Sequence, residues 1–224
     1  MLRNVQVQGS TWPDTQWPEE KTIYLTFDDG PGPYTMMLLD ILDQYGIKAT
    51  FFVVDSDYRD VMKEIVNRGH SIGIHSVTHD YGAVYASPEA YFADLYQMQQ
   101  IIYDTTGVMT TLVRFPGGGS NLVSKNTCPG LMSILTWAVR DAGFQYFDWN
   151  VDSLDAGGAT RTVQVQDNVI QGLLEVGTGM VLQHDIHQFS VKAVEAIILW
   201  GLENGYAFCA IEQSTPGFHH DVVN

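Results

Sequence analysis

Two adjacent acidic residues, Asp28 and Asp29, follow a segment with the spacing of a β-strand. In that segment the apolar side chains Ile23, Leu25 and Phe27 alternate with the residues between them. Neighbouring strand residues point to opposite faces and two carboxylates repel, so we expect the acids to have different partners, one a cation and one a metal ion. A solvated turn is the alternative, because Asp, Gly and Pro are common turn residues.

Two histidines, His75 and His79, follow the end of another predicted strand, Ser71–Ile74. On a helical turn this spacing places both rings on one face, where they can hold one ion. Together with a carboxylate they would form a set of ligands that both hydrolytic zinc and non-haem iron use, so the set does not identify the metal. Two separate structural hydrogen bonds are the alternative interpretation.

Two more strand ends carry polar groups. Arg114 precedes a glycine-rich loop, which suggests a guanidinium that keeps Asp28 ionised and a backbone N–H, that of Gly117, directed at a developing oxyanion. His184 ends a later strand, and Asp155 is a candidate partner that would keep it protonated as a general acid. A structural salt bridge and a structural histidine are the alternatives.

The elements that must place these groups alternate along the chain. Strands are predicted at residues 23–27, 49–54, 71–74, 112–114, 146–149, 180–184 and 206–211, and helices at 35–45, 58–68, 87–105, 131–141, 163–174 and 191–202. No hairpin signal interrupts this order, which indicates α/β architecture with a parallel sheet. We predict a single domain with an incomplete (β/α)7 TIM-like barrel, and a doubly wound open sheet is the alternative.

Composition limits the partners. The 224 residues are 45% hydrophobic, enough for one domain at 21–224 after an extended lead-in at 1–20. With 11 Lys and Arg against 26 Asp and Glu, the net charge of −15 argues against nucleic acid as a partner. No apolar stretch is long enough to span a membrane, and the first residues do not resemble a secretion signal. Cys128 and Cys209 are expected to be buried thiols, although pairing in an oxidising compartment stays open.

Five motifs occur in an order that resembles the NodB-type polysaccharide deacetylases of carbohydrate esterase family four. They are residues 26–30 (TFDDG), 75–79 (HSVTH), 114–118 (RFPGG), 149–155 (WNVDSLD) and 182–184 (LQH). The resemblance extends from Lys21 to Ile211, and its first two motifs are highly specific in this order.

The resemblance implies a divalent metal, usually zinc, with Co²⁺ or Mn²⁺ as substitutes. By position in the motifs, Asp29, His75 and His79 would be its ligands and Asp28 the general base. Arg114 would orient Asp28.

The resemblance also implies a general acid for catalysis and a pocket for the substrate. His184 would protonate the leaving amine with Asp155 behind it, and Leu182 and Trp149 would receive the acetyl methyl group. Many relatives have tyrosine where this chain has Gly117, and many follow the aspartate of the fourth motif with tryptophan where this chain has alanine. Both departures alter the rim of the groove.

The function that this resemblance implies is removal of N-acetyl groups from a polysaccharide of N-acetylglucosamine, first of all peptidoglycan. Chitin oligomers and O-acetylated xylan are alternative substrates, and a non-catalytic carbohydrate-binding protein is the alternative from another class. We expect a monomer that acts outside the cell or at its surface, with a cytoplasmic protein as the alternative.

Overall fold

Strands and helices alternate along residues 21–224, the part of the chain that the computed structural model describes; the predicted lead-in at 1–20 lies outside it. The strands are β1 Thr22–Asp28, β2 Thr50–Val54, β3 Ser71–Ser76, β4 Leu112–Val113, β5 Gln145–Tyr146, β6 Val151–Asp152, β7 Gly179–His184 and β8 Ala207–Phe208. The helices are α1 Thr35–Gln44, α2 Val61–Asn67, α3 Tyr81–Val84, α4 Pro88–Thr106, α5 Leu131–Asp141, α6 Thr162–Val176, α7 Gln188–Val191 and α8 Val194–Glu203.

The sheet is parallel and curls into an incomplete barrel. Its strand order is β5-β4-β3-β2-β1-β7-β6, and β8 pairs with the beginning of β1. In a flat sheet the edge strands β5 and β6 would lie about 29 Å apart, at about 4.8 Å per strand. The chain from Tyr146 to Val151 can span at most about 18 Å. The sheet must therefore curl, which confirms the incomplete barrel and makes the open doubly wound sheet wrong.

β1 lies inside this sheet, between β2 and β7, and is buried along its whole length. Its register aligns Asp28 with Phe52 on β2 and with His184 on β7. Since parallel strands end on the same side of a sheet, this register brings the two acids at the end of β1 and the histidine at the end of β7 to one mouth of the barrel.

The helices cover the outside of the sheet with apolar side chains. α1 buries Leu38, Leu39 and Leu42, which follow the spacing of one helical face. α4 begins as the sequence predicts, because the Ser87 side chain accepts a hydrogen bond from the Ala90 N–H and proline takes the first helical turn. Each fully buried leucine contributes about 1.5–3 kcal/mol of burial free energy.

Three predicted elements differ from the structure. The strand predicted at 146–149 ends at Tyr146, because the next residues cross between the two sheet edges, and the short strand β6 was not predicted. The strand predicted at 206–211 has only two residues. The helix predicted at 191–202 is two helices, α7 and α8, since the Ala193 N–H bonds to the Ser190 carbonyl three residues back and tightens the turn between them.

Both cysteines are unpaired, as expected, but neither is buried: Cys128 is half-buried and Cys209 is exposed. Within residues 21–224, no helix is long and apolar enough to cross a membrane.

Candidate active site

Asp29, His75 and His79 meet at the mouth of the barrel. The Oδ1 atom of Asp29 lies 3.3 Å from Nε2 of His75 and 3.4 Å from Nε2 of His79. These three candidate ligand atoms lie within 4.8 Å of one another. Such a group of one carboxylate and two imidazoles has the composition of a catalytic metal site with open coordination positions.

The backbone at two of these residues is left-handed, which is uncommon outside glycine. The φ angle is 69° at Asp29 and 54° at His79. The helical turn expected at 75–79 is therefore wrong, and a tight turn brings the two rings together instead. The turn is held because the Ser76 hydroxyl accepts from the His79 N–H and the Asp94 carboxylate accepts from the Val77 N–H.

The donor atoms of this cluster fit a divalent cation. Nδ1 of His75 donates to the carbonyl oxygen of Arg114 at 2.8 Å, which leaves the lone pair of Nε2 directed at Asp29. The Oδ1 atom of Asp29 is buried and has no hydrogen-bond partner. Burial raises the pKa of Asp29, but the three histidines around it, His75 first, outweigh this effect, so its pKa lies well below the usual value and the carboxyl is ionised.

Asp28 faces a different partner. Nη1 of Arg114 donates to Oδ1 of Asp28 at 2.9 Å, and both side chains are buried. The same guanidinium donates to the Thr26 hydroxyl and to the carbonyl oxygens of Phe147 and Asp148. Every side of the guanidinium is therefore fixed, and Asp28 is held by a positive charge that water does not reach.

His184, at the end of β7, and Asp155, in the loop after β6, form a second charged pair. Oδ1 of Asp155 lies 2.7 Å from Nδ1 of His184, and Oδ2 accepts from the His184 backbone N–H at 2.7 Å. Burial alone would lower the pKa of His184, but the hydrogen bond and charge of Asp155 raise it to about 9. Nε2 of His184 faces the cluster, 3.9 Å from Oδ2 of Asp29.

A cavity of about 280 Å³ joins these groups. Its lining residues are Asp28, Asp29, His75, His79, Tyr81, Gly117, Trp149, Asp152, Ala156, Leu182 and His184. Arg114 and Asp155 lie behind this wall and act on it through Asp28 and His184. Tyr81 is a lining residue that sequence reasoning missed, and its ring lies against that of His79 with centroids 5.0 Å apart.

Two supporting acids were also without a predicted role. Asp94 holds the turn between the histidines, as described above. Asp148 lies at a predicted strand end, and it is fully buried with Oδ1 accepting from the Gly119 N–H at 2.7 Å. The position of Asp148 gave a signal, whereas nothing in the sequence around Asp94, in the middle of α4, points to the metal cluster.

A model of the polysaccharide deacetylase family matches residues 15–129. The chain belongs to this family. The peptidoglycan-N-acetylglucosamine deacetylase of Bacillus cereus is 36% identical over 214 residues, which cover 91% of this chain and 75% of that protein. The peptidoglycan-N-acetylglucosamine deacetylase PgdA of Listeria monocytogenes is 28% identical, and the match covers 86% of this chain and 38% of PgdA.

Two solved structures share the fold. The catalytic domain of peptidoglycan N-acetylglucosamine deacetylase from Eubacterium rectale superposes with a TM-score of 0.93 at 50% identity, covering 96% of this chain and 99% of that one. The polysaccharide deacetylase Bc1974 from Bacillus cereus gives a TM-score of 0.74 at 35% identity, covering 91% and 96%. Family membership supports a hydrolase that acts on acetylated polysaccharide.

Proposed function

We propose that this protein is a metal-dependent hydrolase that removes N-acetyl groups from N-acetylglucosamine residues of peptidoglycan and releases acetate. The observation that carries the proposal is the arrangement at the barrel mouth. An arginine-held carboxylate, Asp28, lies beside the Asp29, His75 and His79 cluster, and the protonated His184 faces the same cavity. The names of the relatives from Bacillus cereus and Eubacterium rectale support peptidoglycan as the substrate.

The cluster of Asp29, His75 and His79 would hold the metal ion through one oxygen and two Nε2 atoms. Zinc is the ion we propose, and Co²⁺ or Mn²⁺ would suit the same donors. When bound, the ion would act as a Lewis acid that lowers the pKa of water and polarises the acetyl carbonyl.

Asp28 is the general base in this proposal. Its carboxylate removes a proton from the attacking water as the water oxygen bonds to the acetyl carbon. The buried guanidinium of Arg114 donates to the Asp28 carboxylate and fixes its direction. Gly117 lines the cavity, and in this proposal its N–H stabilises the oxyanion that forms on the carbonyl oxygen.

His184 is the general acid. Breaking the C–N bond of an amide expels a strongly basic amine unless the nitrogen receives a proton, and Nε2 of His184 supplies it while Asp155 stabilises the imidazolium. The products are acetate and a free amino sugar. Trp149 and Leu182 form the apolar wall for the acetyl methyl group.

The test measures acetate release by the purified, zinc-loaded protein from peptidoglycan, N-acetylglucosamine oligomers and acetylxylan. We expect amide substrates with N-acetylglucosamine to react and peptidoglycan to react best. A preference for chitin oligomers or for acetylxylan would show that the substrate is that polymer and not peptidoglycan. No acetate release from any of them would favour a non-catalytic carbohydrate-binding protein. Action on peptidoglycan would place the protein at the cell surface or outside the cell, and we propose that it works as a monomer.

The adjacent acids provide the matched pair of variants. Asp28→Asn should keep the bound metal and lose about 10²–10⁴-fold in rate, the usual contribution of a positioned base. Asp29→Asn should lose the metal itself, as should His79→Ala. Equal metal content in the two Asn variants, by elemental analysis, would show that these roles are wrong.

A further inference from the structure

Residues 212–224, here called the closing segment, lie along the outer edge of β5. The segment contains no helix or strand, and it follows the edge through hydrogen bonds. The Gln145 side chain donates to the Thr215 carbonyl oxygen at 2.9 Å, the Asp148 N–H donates to the Phe218 carbonyl oxygen at 2.8 Å, and Nε2 of His219 lies 2.9 Å from the Tyr146 carbonyl oxygen. The closing segment therefore supplies partners where β5 has no neighbouring strand.

The closing segment is also tied down beyond this edge. The carbonyl oxygen of Asn224 accepts from the Ser133 N–H at 2.8 Å, and its side chain accepts from the Gly130 N–H at 2.8 Å and donates to the Ser124 hydroxyl at 2.7 Å. Since both halves are anchored, the residues between them have a fixed position.

His220 lies between these anchors and contacts two loops of the active site. Nε2 of His220 donates to the Trp149 carbonyl oxygen at 2.6 Å. A carbonyl oxygen only accepts, so Nε2 carries the proton, and Nδ1 accepts from the Ser120 hydroxyl at 3.1 Å. The His220 ring also meets the Trp149 ring edge-on, with centroids 4.7 Å apart.

Asp148 extends this connection. Its Oδ2 atom accepts from the His220 N–H at 2.9 Å, while its Oδ1 atom accepts from the Gly119 N–H. The loop before Ser120 has three glycines in succession and no side chains with which to anchor itself. A Cβ atom on Gly118 would lie 2.9 Å from the Trp149 ring, so the loop rests directly on that ring.

The two loops that His220 joins carry the substrate walls. Gly117 and Trp149 line the cavity that contains the candidate metal ligands, and Trp149 belongs to the wall proposed for the acetyl methyl group. We propose that His220 is a positioning residue that fixes the Trp149 wall and the Gly117 N–H relative to each other, so that the closing segment completes the active site. This inference rests on the proposed function, and it adds a residue outside the five motifs to the machinery of that site.

The test compares His220→Ala with His219→Ala. His219 is the matched control, since it belongs to the same segment and stacks on Tyr146 with ring centroids 4.0 Å apart, but it makes no hydrogen bond to either loop of the cavity. Misplacement of a reacting group by about 1 Å can cost about 10²-fold in rate. We expect His220→Ala to lower kcat by about 10-fold or more with full metal content and a small change in KM, and His219→Ala to keep the wild-type kcat.

A conservative variant separates positioning from folding. The amide of Gln reaches the position of Nε2, so His220→Gln should restore the bond to Trp149 and recover most of kcat. Ser120→Ala removes only the bond to Nδ1 and should cause a smaller loss of kcat in a protein of wild-type stability. Wild-type kcat in His220→Ala, or a loss of kcat in both histidine variants that follows their urea midpoints, would overturn the inference.

A second measurement needs no substrate and distinguishes this inference from the proposed function. Amide hydrogen exchange in residues 115–121 and 147–151 should accelerate in His220→Ala and remain at the wild-type rate in His219→Ala. Unchanged exchange in those two segments would refute the positioning role even if the wild-type enzyme proves active. Faster exchange in a protein that releases no acetate from any substrate would leave the connection intact and refute the proposed reaction.

Discussion

Asp155→Asn is the sharpest test of how the proposed acid works. The change keeps an acceptor for the His184 backbone N–H and removes the negative charge beside Nδ1. That charge and its hydrogen bond raise the pKa of His184 to about 9. Without them, burial still lowers the pKa of His184 and the charges of Asp28 and Asp29 still raise it, so we expect a value near the unperturbed pKa of about 6.5.

The magnitude follows from the protonated fraction. At pH 8 an acid with a pKa of about 9 is about 90% protonated, and one with a pKa of about 6.5 is about 3% protonated, so the variant should lose about 30-fold in amide hydrolysis. An acid works only while it holds its proton, so activity falls as pH rises through the pKa. The alkaline limb should therefore move from about pH 9 in the wild type towards about pH 6.5 in the variant.

The assay measures kcat from pH 6 to 10 on an N-acetylglucosamine oligomer and on an activated acetyl ester. The ester has a good leaving group that needs little protonation, so its rate should change much less than the amide rate. Asp167→Asn is the control, because it makes the same charge change on the exposed face of α6. An equal loss on both substrates, or an alkaline limb that stays in place, would refute the reasoning.

Three further predictions concern residues that do not line the cavity, Arg114, Asp94 and His70. Arg114→Met should destabilise the protein by about 3–5 kcal/mol in urea unfolding, because it leaves the buried Asp28 carboxylate unpaired, and adding Asp28→Asn should recover part of the loss. Asp94→Ala should weaken zinc binding in a calorimetric titration with less effect on the urea midpoint, because the Asp94 carboxylate holds the Val77 N–H in the turn between the two histidines; unchanged zinc affinity would contradict this. Burial lowers the pKa of His70 to about 4, as does nearby positive charge. As pH is lowered, the unfolded chain binds a proton on His70 from about pH 6.5, whereas the folded protein binds it only near pH 4. The free energy of unfolding therefore falls across that window, by about 1 kcal/mol at pH 5 after allowance for solvent screening. His70→Asn keeps an acceptor for the Ala49 N–H, and its free energy of unfolding should differ less between pH 7 and pH 5 than that of the wild type. An identical difference would show that His70 does not cause the loss of stability.

Local patterns were sufficient for the elements that lie within one stretch of chain. β1 and β7 showed apolar strand spacing, and α4 showed its cap, its first-turn proline and its length. Patterns failed where the local signal was short or absent. The two-residue strands β6 and β8 form because they pair with β7 and β1, respectively. The break between α7 and α8 contains no glycine or proline from which it could be predicted.

The candidate active site also combines features that local sequence patterns predicted with features that they did not. The sequence placed an acid pair, two histidines, an arginine and a further histidine at strand ends, and a parallel barrel collects such ends at one mouth. It did not show the left-handed turns at Asp29 and His79, which replace the expected helical turn. Such backbone conformations persist only where surrounding contacts enforce them, and those contacts come from other parts of the chain.

The sequence alone determined which chemical groups this protein has and on which strand ends they lie, because strand spacing and motif order are local properties. The tertiary structure decided which groups meet. Sheet register places Asp28 level with His184, and the curl of the sheet brings Arg114 to Asp28 across 86 positions of sequence. It also lays the closing segment against Trp149, where His220 spans 71 positions. These contacts depend on how distant segments pack, and no pattern within a single segment encodes them.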